Sequence, residues 1–209
     1  IGADFVLFVS AGPTSGNVLA FASTCAVDQT GRPIAGHANF GPAALRWSST
    51  DAFANAEVVT TAVHEILHAL GFSYGFLRNS FKGAATTSTT LSTQQRGKAA
   101  TLAVTPEVVR VARAHFGCSN LAGLELEDEG GSGSALSHWE MRVAREDIMA
   151  ASGGMKLSAF TLAYMKDSGF YDVNASAAEP MSLGLNAGCG FVESKCDTAA
   201  GGRDKFWCF

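Results

Sequence analysis

The sequence predicts an α+β fold. Short apolar runs broken by Gly and Pro fill the first forty residues, a long capped helix follows, and the rest is Gly-rich and irregular with two further helices. A chain of 209 residues is long enough to bury roughly 70% of its unfolded surface, so a core is expected without staples. Charged residues make up 16%, below the usual ~25%. With 47% hydrophobic residues, that balance describes a folded chain and not a disordered one.

Asp4 to Val9 (DFVLFV) is an unbroken apolar run that suits an internal strand. Val18 to Thr24 (VLAFAST) is a second strand candidate. Arg32 to Phe40 (RPIAGHANF) contains Pro33 and Gly36, and these suit an edge strand better than a central one. Gly12-Pro13 and Gly31 mark the turns between them. Asp51 to Leu70 reads as a long helix, with Ser49 or Thr50 as its cap. Gly71 stands where a left-handed C-terminal cap costs glycine little.

Phe72 to Thr105 has no strong period, and its part Ala84 to Thr93 (AATTSTTLST) reads as an exposed polar loop. Thr105-Pro106 opens a second helix to Phe116, with Thr as cap, Pro in the first turn and Gly117 at the end. Gly130 to Ser134 (GGSGS) is a tight or flexible loop. Ser158 caps a third helix that Gly169 ends. The tail from Tyr171 reads as irregular and holds three of the five cysteines.

Composition also bounds the partners. The balance of 15 basic and 19 acidic residues gives a net charge of −4. There is no Lys/Arg run, so nucleic acid is not an expected partner. No apolar stretch approaches the ~18–20 residues of a membrane span. Ile1 opens directly into a strand with no leader pattern, and Phe209 follows a Gly/Cys-rich tail with no lipidation signal. The expectation is a mature or excised piece whose targeting segments lie outside it. Cys25, Cys118, Cys189, Cys196 and Cys208 form no CxxC pair. Such wide spacing reads as disulfides in an oxidising compartment, with at least one cysteine of this odd set left over.

The chemistry sits in VHEILHALGF. His64, Glu65 and His68 form the HExxH pattern on the predicted helix. Four residues advance a helix by about 6 Å and just over one turn, so both imidazoles share a face. Two nitrogens there can grip one Zn²⁺ at ~2.0–2.1 Å each. Glu65 lies about 100° around the helix, where it can hold a zinc-bound water and accept its proton. A catalytic zinc takes a third protein ligand and keeps a fourth position open.

Three residues after Gly71, where HExxHxxGxxH would place that ligand, the chain has Tyr74. The remaining histidines are His37, His115 and His138. His37 reads as structural in its strand, and His115 as a surface or C-terminal cap residue. His138, in SHWE, follows the glycine-rich loop, and Met149 comes soon after in EDIMA. Glu140 and Asp147 are candidate partners for ligand imidazoles, or ordinary surface carboxylates. The acidic run Glu125 to Glu129 (ELEDE) reads as a solvated loop.

The chain resembles leishmanolysin, a surface metallopeptidase family within the metzincins. The resemblance lies in RPIAGHANFGP (Arg32–Pro42), HEILHALGF (His64–Phe72), TPEVVRVARAHFGC (Thr105–Cys118), GGSGSALSHWE (Gly130–Glu140), REDIMA (Arg145–Ala150) and DSGFY (Asp167–Tyr171). It implies a metzincin-like zinc peptidase domain, with a twisted mixed sheet packed on the active-site helix and a mainly irregular and helical C-terminal part. His64, His68 and His138 would hold one zinc ion per chain, Glu65 would be catalytic, and Met149 would be the Met-turn residue. A soft, unbranched side chain at 149 can also form an apolar floor under a histidine cluster on its own physical merits.

Three segments follow from the resemblance: 1–72, strands and active-site helix; 73–170, the insertion, third ligand and Met-turn with the following helix; and 171–209, the start of a truncated Cys-rich region. It also implies a Cys118–Cys189 disulfide, with Cys25, Cys196 and Cys208 paired beyond this chain. The activity implied is endopeptidase cleavage of extended protein substrates, gripped along the edge strand around Ile34 to Phe40. The alternative is a catalytically silent adhesion protein that keeps the fold. Either would work at the cell surface or secreted, with a parent protein that is often membrane-anchored.

Overall fold

Three of the apolar runs at the start of the chain pair into one sheet. In the computed structural model, which describes residues 2–82, 88–198 and 203–206, β1 (Val6–Ala11), β2 (Ala20–Val27) and β3 (Pro33–Phe40) lie in the order β1-β3-β2. β1 runs parallel to β3 and β2 antiparallel to it. β3 is therefore the central strand, not an edge. Pro33 is its first residue, where a missing N–H interrupts no ladder. Gly36 marks a close approach instead of an edge. A Cβ there would stand 2.7 Å from Ala69 Cβ and 2.9 Å from Phe5 Cζ, so only glycine lets the helix lie this near the middle strand.

That helix is α1 (Ala52–Ala69), which packs on β2 and β3. Its cap is Asp51, not Ser49 or Thr50. One Asp51 oxygen accepts from the N–H groups of Phe53 and Ala54, both at 3.0 Å. Ser48 serves one step earlier, its hydroxyl oxygen accepting from Asp51 N–H at 3.1 Å. At the other end, Gly71 N–H donates to His68 O and Phe72 N–H to Leu67 O, with Gly71 at φ +108°. This double return is the Schellman closure. Thr24 of β2 donates its hydroxyl to Ala69 O at 3.0 Å and ties this end of the helix to the sheet.

Contacts divide the chain into two units, Ile1–Ser73 and Tyr74–Phe209. The second holds α2 (Tyr74–Asn79), β4 (Thr90–Gln95), β5 (Lys98–Ala103), α3 (Pro106–Phe116), β6 (Leu124–Glu125), α4 (Met141–Ala144), α5 (Ala159–Asp167), α6 (Cys189–Glu193) and α7 (Arg203–Phe206). Its strands form an antiparallel sheet in the order β4-β5-β6.

The stretch read as periodless thus contains a helix and a hairpin. Thr90–Thr93, expected as exposed loop, lies in β4, and the buried Thr89 donates its hydroxyl to Leu77 O. Residues 84–87 of that expected loop lie outside the described residues. The hairpin turns at Arg96-Gly97, with φ of 53° and 82°. Two positive φ values are what a two-residue type I′ loop needs. Arginine is an unusual occupant, and its side chain explains it. Arg96 makes a buried two-pronged pair with Glu125 at 2.7 and 2.6 Å and donates to Val192 O at 2.8 Å.

An aromatic core holds this unit together. Phe116 meets Phe160 at 5.7 Å and Phe191 at 5.8 Å between ring centroids, and Phe81 meets Tyr164 at 4.8 Å. α3 packs along α5, and Asp167 at the end of α5 supplies the cap that Thr105 does not. Its carboxylate accepts from Glu107 and Val108 N–H at 2.8 and 3.0 Å. His115 is a clasp more than a surface residue, with Nε2 donating to Leu183 O at 2.8 Å. A disulfide joins Cys118 to Cys189 across 71 residues, a closure worth about 4 kcal/mol in the chain-entropy view. No helix among the described residues is long and apolar enough to cross a membrane.

Candidate metal centre

The HExxH spacing on α1 gives the geometry that helical rise requires. His64 and His68 lie one turn apart with ring centroids 4.7 Å apart and planes crossed at 79°. Their Nε2 atoms are 3.0 Å from each other. Two nitrogens on one tetrahedral zinc, each at ~2.0–2.1 Å, stand about 3.3 Å apart. The pair fits a shared ion with a shift of a few tenths of an ångström.

The helix end fixes which nitrogen faces it. Phe72 O, placed by the Gly71 turn, lies 2.7 Å from His68 Nδ1. A carbonyl only accepts, so Nδ1 carries the proton and Nε2 the lone pair, the tautomer a ligand needs. Glu65, between the two, is 5% exposed. Burial pushes its carboxyl up to about 7, because a carboxylate removed from water holds its proton more tightly.

In the second unit His138 lies at a bend beside the glycine loop, one residue before the bridge at Trp139. It is buried, and burial lowers its pKa. Its Nδ1 donates to Ser134 O at 2.9 Å, again making Nε2 the lone-pair nitrogen. Gly130 and Gly131, both at positive φ, turn the chain so that this carbonyl comes back toward the ring. Met149 is fully buried in a turn closed by Ala150 N–H donating to Asp147 O.

The family model for leishmanolysin matches residues 1–208. Among curated relatives, the leishmanolysin homolog of Crithidia fasciculata is 40% identical over 92% of this chain and 28% of its own length. The leishmanolysin of Leishmania chagasi is 41% identical over 92% of this chain and 31% of its own length. The leishmanolysin-like peptidase of Drosophila pseudoobscura pseudoobscura is 38% identical over 93% and 34% respectively.

The chain belongs to the leishmanolysin family.

It spans about a third of the length of the relatives it matches. In this leishmanolysin-family chain the carboxylates named as possible partners of ligand imidazoles have other work. Glu140 caps α4, accepting from Arg142 N–H at 3.2 Å. Burial and the nearby Glu127 and Glu125 push its carboxyl up to about 7. Asp147 is wholly buried and accepts from Met149 N–H, Thr161 Oγ1 and Ser158 Oγ. Burial pushes it up to about 6 against hydrogen bonds that favour the charged form.

The ELEDE run is not a solvated loop. Glu125 and Glu127 are buried, and only Glu129 at its end is exposed. Oxygens of Glu125, Asp128 and Glu140 lie within 4.8 Å of one another. The Lys98 ammonium stands among them, 2.7 Å from Asp128 and 3.9 Å from Glu140. The sequence signal for this was Arg96 and Lys98 flanking the hairpin glycine, two cations just before and at the start of β5, the strand that pairs with the acidic run.

Cys25 is exposed on β2 and Cys196 partly so, both as free thiols. Cys208 lies outside the described residues.

Proposed function

We propose that this chain is the zinc-binding part of a metalloendopeptidase. The observation that carries the reading is the His64–His68 pair, with Nε2 atoms 3.0 Å apart and His68 Nδ1 committed to Phe72 O. Family membership supplies the rest. By the leishmanolysin resemblance, His138 completes the ligand set and Met149 lies beneath it. When bound, the zinc ion would polarise the scissile carbonyl and bring a water pKa down toward ~7.

The chain's own groups do the remaining work. Glu65 accepts a proton from the attacking water and delivers it to the departing amine nitrogen. His68 keeps its ligand tautomer because Phe72 O holds the opposite nitrogen. An extended substrate needs an open strand edge, and β3 offers none, since β1 and β2 pair with both its sides. The edge of β2 replaces it in our reading. β2 packs on α1 and is tied to Ala69, the residue after His68. Backbone pairing there would accept many sequences. The Cys118–Cys189 disulfide agrees with work outside the cytosol, at the cell surface or secreted.

The test uses the intact protein. Glu65→Ala is expected to keep one zinc per chain by metal analysis and to lose casein cleavage by roughly 10²–10⁴-fold. His138→Ala is expected to lose zinc. Undiminished cleavage in the Glu65 variant, or unchanged zinc affinity in the His138 variant, would overturn the assignment.

A further inference from the structure

Asp147 is wholly buried, and the mechanism above leaves it without a task. Its carboxylate collects three donors from three places. Met149 N–H reaches Oδ1 at 2.6 Å from the turn itself, and Thr161 Oγ1 reaches the same oxygen at 2.6 Å from α5. Ser158, the cap of α5, donates to Oδ2. The hydrogens are all assigned. Thr161 Oγ1 accepts from the Trp139 indole N–H at 3.0 Å, so its own hydrogen points to Asp147. Ser158 Oγ accepts from Phe160 N–H at 3.0 Å, so its hydrogen points there too. Gly154 closes over the same residue. A Cβ on it would fall 1.7 Å from Asp147 O.

The far end of this network is the residue after His138. Trp139 joins two neighbouring segments through single bridges, to Leu126 on one side and to Ala150 on the other. Glu127 N–H donates to His138 O at 2.9 Å, Trp139 N–H to Met149 O at 2.9 Å, and Glu140 N–H to Glu125 O at 3.0 Å. Pinning the Trp139 indole therefore helps hold the backbone from which the His138 ring projects. Trp139 and Thr161 are both fully buried, so water cannot take over either bond.

We propose that Asp147 is a positioning residue, acting through Thr161 and Trp139 to aim His138 and through its own turn to seat Met149. The inference rests on reading His138 as a metal ligand. Its prediction is that Thr161→Val, which keeps shape and removes the hydroxyl, weakens zinc binding about 10- to 100-fold in chelator competition. It should also shift the visible absorption bands of the Co²⁺-substituted protein, while Thr161→Ser restores both. Asp147→Asn is expected to act in the same direction and more strongly. Should it not fold, Trp139→Phe tests the same chain of bonds from the other end.

A merely structural role would lower the thermal midpoint and leave the zinc affinity and Co²⁺ spectrum of the folded protein unchanged. That result in Thr161→Val and Trp139→Phe overturns this inference. Loss of zinc in His138→Ala alongside it would leave the peptidase reading standing. Unchanged zinc affinity in His138→Ala would overturn the reading beneath both.

Discussion

The two regions that carry candidate ligands are built by different means. On α1, one helical turn sets the separation of His64 and His68, and the backbone of the same helix end supplies the carbonyl that fixes His68. Both of these contacts lie within nine residues, His64 to Phe72. Around His138 the local element is the Ser134 carbonyl, four residues earlier. The segment is held by backbone bonds to the acidic run and to the Met149 turn, by an indole bonded 22 positions away, and by carboxylates buried in pairs and networks. A helix delivers geometry from spacing alone. A non-helical segment of a few residues has no such internal rule and must borrow its geometry from buried polar groups, each costly to leave unsatisfied.

The largest expected effect that would break this comparison lies in the second unit. Glu125 is fully buried, and its partner Arg96 nearly so, with side-chain exposures of 0% and 6%. Glu125→Gln leaves a buried guanidinium without its counter-charge, a loss of about 3–5 kcal/mol by the usual cost of breaking such pairs. Denaturant unfolding measures it. Replacing both partners by Met should recover most of that loss, since two apolar side chains carry no desolvation cost. A Glu125→Gln protein as stable as the parent would mean that the acidic run is more hydrated than its burial indicates.

What the sequence disclosed follows the same division. The α1 site was readable because a helix converts i, i+4 spacing into a distance, and Gly71 announced where it stops. The three strands were readable as apolar runs. The position of β3 was not, because Pro33 and Gly36 are edge signals and close-packing signals alike, and only Ala69 lying against Gly36 separates the two. β4 and β5 were hidden by composition. Thr, Ser and Ala are poor markers of a strand, and Arg96 at positive φ does not resemble the Asn-Gly or Asp-Gly of a hairpin. ELEDE read as solvent-facing because charge runs usually are. Its burial depends on cations that stand about 30 positions earlier and become neighbours only when β5 pairs with β6.

A sharper version concerns acid. Burial alone would raise the Glu146 carboxyl, but Leu183 N–H, the Lys156 ammonium and Ser182 outweigh it and hold the group down to about 2. A carboxyl depressed in the folded state contributes stability that is complete above its unfolded value near 4.5 and is lost as pH falls toward 2. The loss should be on the order of 2 kcal/mol, with part of the attraction screened by water. Glu146→Gln should flatten that part of the acid slope, read as unfolding free energy against pH. On α1 the shift runs the other way: burial raises Glu65, and a carboxyl raised in the folded state loses no stability as pH falls.

The smallest effect expected is at the start of α1. Asp51→Ala removes the acceptor for Phe53 and Ala54 N–H, and helix caps of this kind are worth about 1 kcal/mol. The turn is exposed, with Phe53 at 64%, so water takes up the freed donors and limits the loss. Amide exchange should quicken in the first turn and stay slow from His64 to Ala69, where the Gly71 closure and the Thr24 bond hold the helix from the other end. Zinc affinity should not move. If exchange instead quickens through His68, the histidine pair depends on the whole helix and not on its last turns, and the contrast with the network around His138 narrows to one of degree.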